Sequence, residues 1–314
     1  MNVKKYDVTA LGEILIDFVP DGKDGNGDCR FLRKAGGAPL NFLAAANAYG
    51  CKTAFIGAVG NDIHGKFLLE TVKKSGISDE YIKTDFLHNT TLAFVELNNG
   101  GERDFSFYRT FGADRFISVN DIPENIFSDT SVFHFGSLSL TDEPSREATE
   151  YAVKAAKENG CVVTYDPNYR APLWSSAEQA KKYMSYLTEY TDILKCSVEE
   201  LELITGCRDI YDGAGSLKAE GVKIVLVTDG ENGSYVSFED SFFRVNAEKV
   251  NPVDTTGAGD IFFGSFISKF IKSKKALPDV TLDDIIDFVT FATKVAGLST
   301  EKYGAIASIP RGII

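Results

Sequence analysis

Asp260 stands directly after Gly257-Ala258-Gly259 in the string NPVDTTGAGDIFFGSFISKFI, where a loop of small residues runs into an amphipathic segment. A helix beginning near Ala258 would leave the first backbone N–H groups, those of residues 257 to 259, without intrahelical partners, and with the helix dipole they attract negative charge. Glycines allow an anion to approach without a Cβ in the way, so phosphate suits the position. Asp260, in the first turn, projects to the same mouth. A plainer arrangement fits the spacing equally well, with Gly-Ala-Gly turning the chain and Asp260 stabilising the helix dipole.

Two further segments carry polar groups that could meet a ligand. Gly36 and Gly37 precede a proline-started helix in AGGAPLN, which ends on Asn41; alone this reads as a loop. Asp17 lies among apolar residues in GEILIDFVP, at the C-terminal end of a first strand, where a carboxylate can accept two hydroxyl hydrogen bonds or simply face water by strand alternation.

The elements that must position these residues alternate between strand and helix. The N-terminal run to Pro20 reads as a strand, and a helix runs from Pro39 to a stop at Gly50. KTAFIGAVG is a second strand, and residues 63 to 75 form a second helix closed by Gly76. TLAFVEL and RDFSFY then flank Asn98-Asn99-Gly100-Gly101, whose residue types accept the positive φ of a hairpin turn. From residue 131 the alternation resumes: SVFHFGSL, a helix from near Pro144 to Gly160, CVVTYD, a helix capped by Ser176, DILKCS, helices to Gly206 and over 211 to 220, then VKIVLVT. Strands apolar on both faces and separated by helices predict an α/β fold with a mostly parallel sheet covered on both sides, binding ligands beyond the C-terminal strand ends. No linker or repeat divides residues 1–314, so one domain is expected, with a small β insertion from parts of 14–34 and 90–110.

Bulk properties narrow the partners. A formal charge of −12 and a pI near 4.8 argue against nucleic acid, which requires clustered Lys and Arg. No stretch approaches 18 uninterrupted apolar residues, so no membrane span is expected. Five dispersed cysteines without a CxxC pair read as reduced thiols of a cytoplasmic protein. His64, His88 and His134 are isolated in sequence and read as structural or surface histidines.

DTTGAGD together with AGGAPLN resembles the two signatures of the ribokinase, or PfkB-type, carbohydrate kinases, in the right order and over most of the chain. The resemblance implies a ribokinase-like fold with a β lid, ATP and a small-molecule sugar as ligands, and Asp260 as catalytic base beside an anion hole of Gly257, Ala258 and Gly259. It implies a hinge at Gly36 and Gly37, and sugar contacts from Asp17 and Asn41. In DILKCSVEELELITG the family's Asn-x-x-Glu has Ser197 in place of Asn but retains Glu200, which would position magnesium-bound water; Lys195 and Ser197 fall on the ATP side. VTDGENGS, with Thr228, Gly230 and Gly233, resembles the loop beneath the nucleotide, though it is equally an ordinary turn. A monovalent cation, potassium, is implied near Asp254, Thr256, Ser299, Lys302, Gly304 and Ser308.

YDPNYRAPLW, with Asp166, Asn168 and Arg170, and FYRTFGAD, with Arg109, are most similar to fructokinases and 2-keto-3-deoxygluconate kinases. Arginine forks suit phosphate or carboxylate; Arg170 is assigned to the transferring phosphoryl group, and Arg109 to neutral hydroxyls of the substrate or to the lid. Fructose phosphorylated at carbon 6 is the expected reaction, with the keto-acid sugar second. A nicotinamide dehydrogenase is disfavoured because no GxGxxG follows the first strand. A catalytically silent sugar sensor is disfavoured by retention of Asp260, Gly257 and Gly259. The hairpin aromatics Phe94 and Phe105 are candidates for the sugar site or for a homodimer contact through the lid.

Overall fold

The structure is a computed structural model that describes residues 4–97 and 103–313. The expected turn at Asn98 to Gly101 and the side chain of Phe105 lie outside the described residues.

The chain opens with β1 (Tyr6–Leu11), β2 (Leu15–Lys23), β3 (Cys29–Gly36), α1 (Ala38–Ala48), β4 (Thr53–Gly60), α2 (Ile63–Lys74) and β5 (Ser78–Asp85). It continues with β6 (Leu92–Leu97), β7 (Arg103–Tyr108), β8 (Thr130–Gly136), α3 (Ser145–Glu158), β9 (Val162–Asp166), α4 (Ala177–Ser185) and β10 (Ile193–Ser197). The remainder is α5 (Val198–Thr205), α6 (Ile210–Ala219), β11 (Ile224–Thr228), β12 (Ser234–Phe238), β13 (Ser241–Val245), α7 (Ala258–Ser273), α8 (Leu282–Ser299) and α9 (Ala305–Ser308).

Nine strands form the main sheet in the order β13-β12-β11-β10-β9-β8-β1-β4-β5, parallel throughout except for the antiparallel β12 and β13. Its central strands are buried on both faces because two helical layers cover them. α1, α2, α7 and α8 pack on one face, and α3 to α6 on the other. Phe262, Phe263, Phe266 and Phe270 of α7 are buried against α1, the sheet and α8. At about 1.5–3 kcal/mol per fully buried side chain, that packing fixes where α7 begins.

From β1 the chain proceeds outward through β4 and β5, then returns to place β8 on the other side of β1. The order of strands therefore reverses beside β1, and such a switch opens a crevice beyond the C-terminal strand ends.

A second sheet, ordered β3-β2-β6-β7, grows from this end of the main sheet. Here the expectation of one N-terminal strand is corrected. The run divides at Gly12-Glu13-Ile14 into β1, in the main sheet, and β2, in the second, so Asp17 is on β2, opposite Lys34 and Ala93. Continuous apolarity hid the break, because the end of β1 and the first residues of β2, Leu15 and Ile16, are alike buried. The edge strand β5 and helix α8 were also not anticipated. β5 alternates too weakly to stand out, and α8 follows a polar stretch.

Candidate active site

The ends of β9 and β10, the start of α1 and the start of α7 meet at the switch point. Asp260, 5% exposed, is held from two directions: Asn41 Nδ2 donates to its Oδ2 at 2.9 Å, and Asn168 Nδ2 donates to its Oδ1 at 3.0 Å. Burial pushes the Asp260 carboxyl above the usual carboxylate range, opposed by the charge of Lys195, the Asn41 hydrogen bond and the charge of Arg170. Asn168 reaches it from a left-handed backbone conformation, φ 47°, which asparagine adopts more readily than most residues.

Lys195 lies beneath this group, 5% exposed, with Nζ 2.9 Å from Asp166 Oδ2. Burial disfavours its charge, but Asp166, Glu200 and Asp260 surround it and hold it protonated, above its ordinary range. Burial pushes Asp166 the other way, upward, against the pull of Lys195. A Cβ on Gly259 would stand 2.7 Å from Lys195 Nζ, so the glycine lets the ammonium pass beneath the start of α7.

Gly257 precedes α7 at φ 73°, and a Cβ there would meet Ala305 Cβ at 2.5 Å. The expected set of three open amides is corrected at one position. The N–H of Ala258 donates to the Thr255 carbonyl at 3.2 Å, whereas among the described residues the amides of Gly257 and Gly259 have no backbone acceptor. A tight turn before the helix consumes the middle donor.

Glu200 does structural work. Its Oε1 accepts from Tyr169 N at 2.7 Å and its Oε2 from Ser197 N at 2.8 Å. Ser197 Oγ accepts from Glu200 N at 3.2 Å, closing a capping box on α5. Ser197, the departure from Asn, is thus a helix cap, and Glu200 ties that cap to the loop carrying Asn168 and Arg170. Arg170 donates through Nη1 to the Tyr169 carbonyl at 2.9 Å.

The remaining candidates form separate groups. Asp17 packs over Gly36, where a Cβ would meet its Oδ2 at 2.1 Å; Gly37, at φ 112°, leaves no room for a Cβ against the Glu13 carbonyl, 2.4 Å away. Arg109, expected to face substrate, is 3% exposed and pairs internally: Nε to Asp114 Oδ2 at 2.7 Å, Nη1 to Thr141 Oγ1 at 2.8 Å and Nη2 to the Leu138 carbonyl at 3.0 Å. On the β11 side, Thr228 Oγ1 donates to the Cys196 carbonyl at 3.3 Å, Gly230 opens a short turn, and Gly233 presses on β13, a Cβ lying 2.1 Å from the Val245 carbonyl.

Asp254 ties two loops together, accepting from Thr256 N at 2.8 Å and Gly304 N at 2.9 Å. Ser299 donates to the Ala296 carbonyl and accepts the Lys302 amide, while Ser308 donates to the Ala305 carbonyl. The segments carrying Thr256 and Gly304, the latter running on from Ser299 and Lys302 to Ser308, are thus joined by one carboxylate.

Sequence reasoning did not single out Glu13 or Asp114. Both are buried acids next to motif residues, Glu13 two positions after β1 and Asp114 at the end of FYRTFGAD. An acid inside an apolar run was the available signal for Glu13.

These groups coincide with a known family. The family model described as pfkB family carbohydrate kinase matches residues 5–311. Probable fructokinase-2 of Arabidopsis thaliana is 38% identical over 306 residues, covering 96% of this chain and 92% of that protein. The crystal structure of fructokinase with bound ATP from Xylella fastidiosa superposes with a TM-score of 0.91 at 29% identity, covering 98% of this chain and 96% of that one. A double mutant of fructokinase from Vibrio cholerae O395, in fructose-, ADP- and potassium-bound form, gives 0.88 at 31%, covering 98% and 97%. With the family match running over nearly the whole chain and relatives covered almost end to end, this chain belongs to the pfkB family of carbohydrate kinases.

Proposed function

We propose that this chain transfers the γ-phosphate of ATP to the 6-hydroxyl of D-fructose. The observation that carries the reading is Asp260, buried, oriented by Asn41 and Asn168, and standing directly after the Gly257–Gly259 segment whose amides begin α7. Phosphoryl transfer asks a protein to align a hydroxyl, accept its proton and neutralise developing charge. Asp260 accepts the proton, while the amides at the start of α7 and the Arg170 guanidinium face the charge. Asn41 Oδ1 is buried without a hydrogen-bond partner among the described residues, which fits an acceptor for a sugar hydroxyl. Asp17, Gly36 and Asp166 complete the sugar side with Asn168.

Thr228, Gly230 and Gly233 would line the nucleotide, with Lys195 and Ser197 at its phosphate end. Magnesium, held through water by the remaining lone pairs of Glu200, would screen the phosphate oxygens, and potassium would take the oxygens around Asp254. The second sheet acts as the lid of a single domain, excluding water that would otherwise accept the phosphoryl group. A homodimer through that lid, in the cytoplasm, completes the reading.

Fructose is favoured over an acidic keto-sugar because Asp114 already neutralises Arg109, leaving that buried guanidinium no spare charge for a substrate carboxylate. The names of the relatives point the same way. A panel of fructose, ribose, tagatose, adenosine and 2-keto-3-deoxygluconate with ATP and magnesium should give the highest kcat/KM for fructose, with phosphate on carbon 6 by phosphorus-coupled NMR. A higher value for the keto-acid refutes the substrate, and fructose 1-phosphate refutes the pose. A chain that releases no ADP with any sugar would instead be a sensor.

Asp17→Ala should weaken fructose at least about tenfold and leave ATP binding near wild type, since hydrogen bonds to a charged group contribute roughly 1.5–3 kcal/mol each. Calorimetric titration of each ligand checks this; equal weakening of both removes Asp17 from the sugar site.

A further inference from the structure

The second sheet joins the main body at four roots: residues 12–14 before β2, 36–38 after β3, 90–91 before β6 and 109–114 after β7. A buried polar cluster ties all four. Glu13 Oε1 accepts from Ala38 N at 2.8 Å, linking the first root to the second. Ile16 N donates to the Thr91 carbonyl at 3.0 Å, linking β2 to the third. Thr91 Oγ1 donates to Asp114 Oδ1, and Arg109 Nε donates to Asp114 Oδ2, closing the third root onto the fourth.

Arg109 then reaches outside the second sheet. Its Nη1 and Nη2 grip Thr141 and the Leu138 carbonyl, which follow β8 at the switch point. Gly112 leaves the space this needs, for a Cβ there would stand 1.9 Å from Thr91 Oγ1 and 2.8 Å from Asp114 Oδ1. Glu13 faces the charges of both Arg109 and Asp114, and burial pushes its carboxyl up to about 7. No member is open to bulk water: Glu13, Thr91, Arg109, Asp114 and Thr141 are all buried.

We propose that the Arg109–Asp114 ion pair is the fixed fulcrum of the lid, a positioning pair that sets where Asp17 stands over the sugar. It is a positioning pair because Arg109 spends its fork on protein acceptors, and Asp114 pins the root of β6, which flanks Asp17's own strand, to the root of β7 beyond it. Ala93 on β6 is Asp17's direct neighbour, and Thr91 lies two residues before it. Arg109 carries bidentate geometry that lysine lacks, and the pair is enclosed, so small changes in it are transmitted rather than absorbed by solvent. The proposal rests on the sugar-kinase reading but not on fructose, because its readout is a ratio between the two substrates.

The test uses Asp114→Asn, which keeps shape and the Thr91 contact but removes the charge, and Arg109→Lys, which keeps the charge but not the fork. Each is measured with whichever sugar the wild-type chain phosphorylates best. Both variants should raise KM for that sugar at least about tenfold, leave KM for ATP within about twofold, and increase sugar-independent ATP hydrolysis relative to sugar phosphorylation. Thr141→Val, which removes one anchor of Arg109, should move the same three readouts less far, and it serves if either charge variant fails to fold. A lowered melting temperature with unchanged KM values and unchanged hydrolysis overturns the proposal, since the pair would then serve stability alone. Loss of sugar affinity in Arg109→Lys but not in Asp114→Asn also overturns it, because Arg109 would then touch the sugar directly. Absence of any sugar phosphorylation by wild type, by contrast, refutes the kinase reading.

Discussion

Asp260→Asn should lower kcat by about 10²- to 10⁴-fold, the usual cost of removing a general base, while the chain stays folded and still binds sugar. The local geometry explains why the variant is tolerated. Both Asp260 oxygens now accept from amide donors, Asn41 and Asn168, and asparagine replaces one acceptor with a donor. Left opposed, two donors would cost about 1–3 kcal/mol. If the new amide nitrogen is set towards Asn168, that side chain can turn its own amide to present an oxygen, so most of that cost is recovered while Asn41 Oδ1 stays available to the sugar. The proton relay is not recovered, since an amide nitrogen does not accept a proton at neutral pH. The pH profile gives a second reading. Burial raises the Asp260 carboxyl, with Lys195, Asn41 and Arg170 pulling it down and Glu200 pushing it up. The rate of the wild-type enzyme should therefore fall as pH drops through a value above that of an ordinary aspartate, and the variant should lose this limb. Steady-state ADP release and sugar titration decide the matter: a variant keeping more than about a third of wild-type kcat is incompatible with Asp260 as the base.

The candidate site was legible in sequence to the extent that its members lie on regular elements. α7 begins at Ala258 because glycine precedes it and phenylalanines recur on its buried side, and both features are visible in the string itself. Asn41 is on the first turn of a helix whose proline and glycines mark its start. What sequence did not convey is pairing across long separations. Asn41 and Asp260 are 219 residues apart, Asn168 and Asp260 are 92 apart, and Lys195 and Asp166 are 29 apart. These contacts are set by the order of strands in the sheet, which no local pattern encodes. Arg109 shows the same limit from the other side. An arginine beside aromatic residues looks available for a ligand until the fold places Asp114 and Thr141 around it. Asp17 was seen as a strand-end carboxylate, but the break at residues 12 to 14 that moves it to a second sheet leaves no polar signal except Glu13, which is itself buried.

Lys195→Met should be the most destabilising single change at the site, and its partner substitution should reverse the instability without restoring the rate. Lys195 and Asp166 are a buried pair, 5% and 2% exposed. Removing one member of such a pair leaves an uncompensated charge and costs about 3–5 kcal/mol. The sign of the pH dependence follows from Asp166. Burial already raises its carboxyl, and without Lys195 the raised value climbs further, so stability is fully present below the unfolded-state value of an aspartate and is lost progressively as pH rises to and through the folded-state value. Lys195→Met should thus be closer to wild type at pH 5 than at pH 8 by urea denaturation. Adding Asp166→Asn removes the stranded charge, and the double variant should regain most of the lost stability at pH 8. It should not regain kcat. Lys195 also lies beneath Gly259, with the charges of Asp260 and Glu200 facing it, and its removal withdraws the positive charge that opposes the upward push of burial on Asp260. Both variants should therefore remain at least about tenfold below wild type in kcat, with the acid limb of the rate displaced to higher pH, as expected when a buried base loses a neighbouring cation. Recovery of kcat together with stability in the double variant would reduce Lys195 to a structural ion-pair partner, and equal stability of Lys195→Met at both pH values would mean that Asp166 finds another cation once Lys195 is gone.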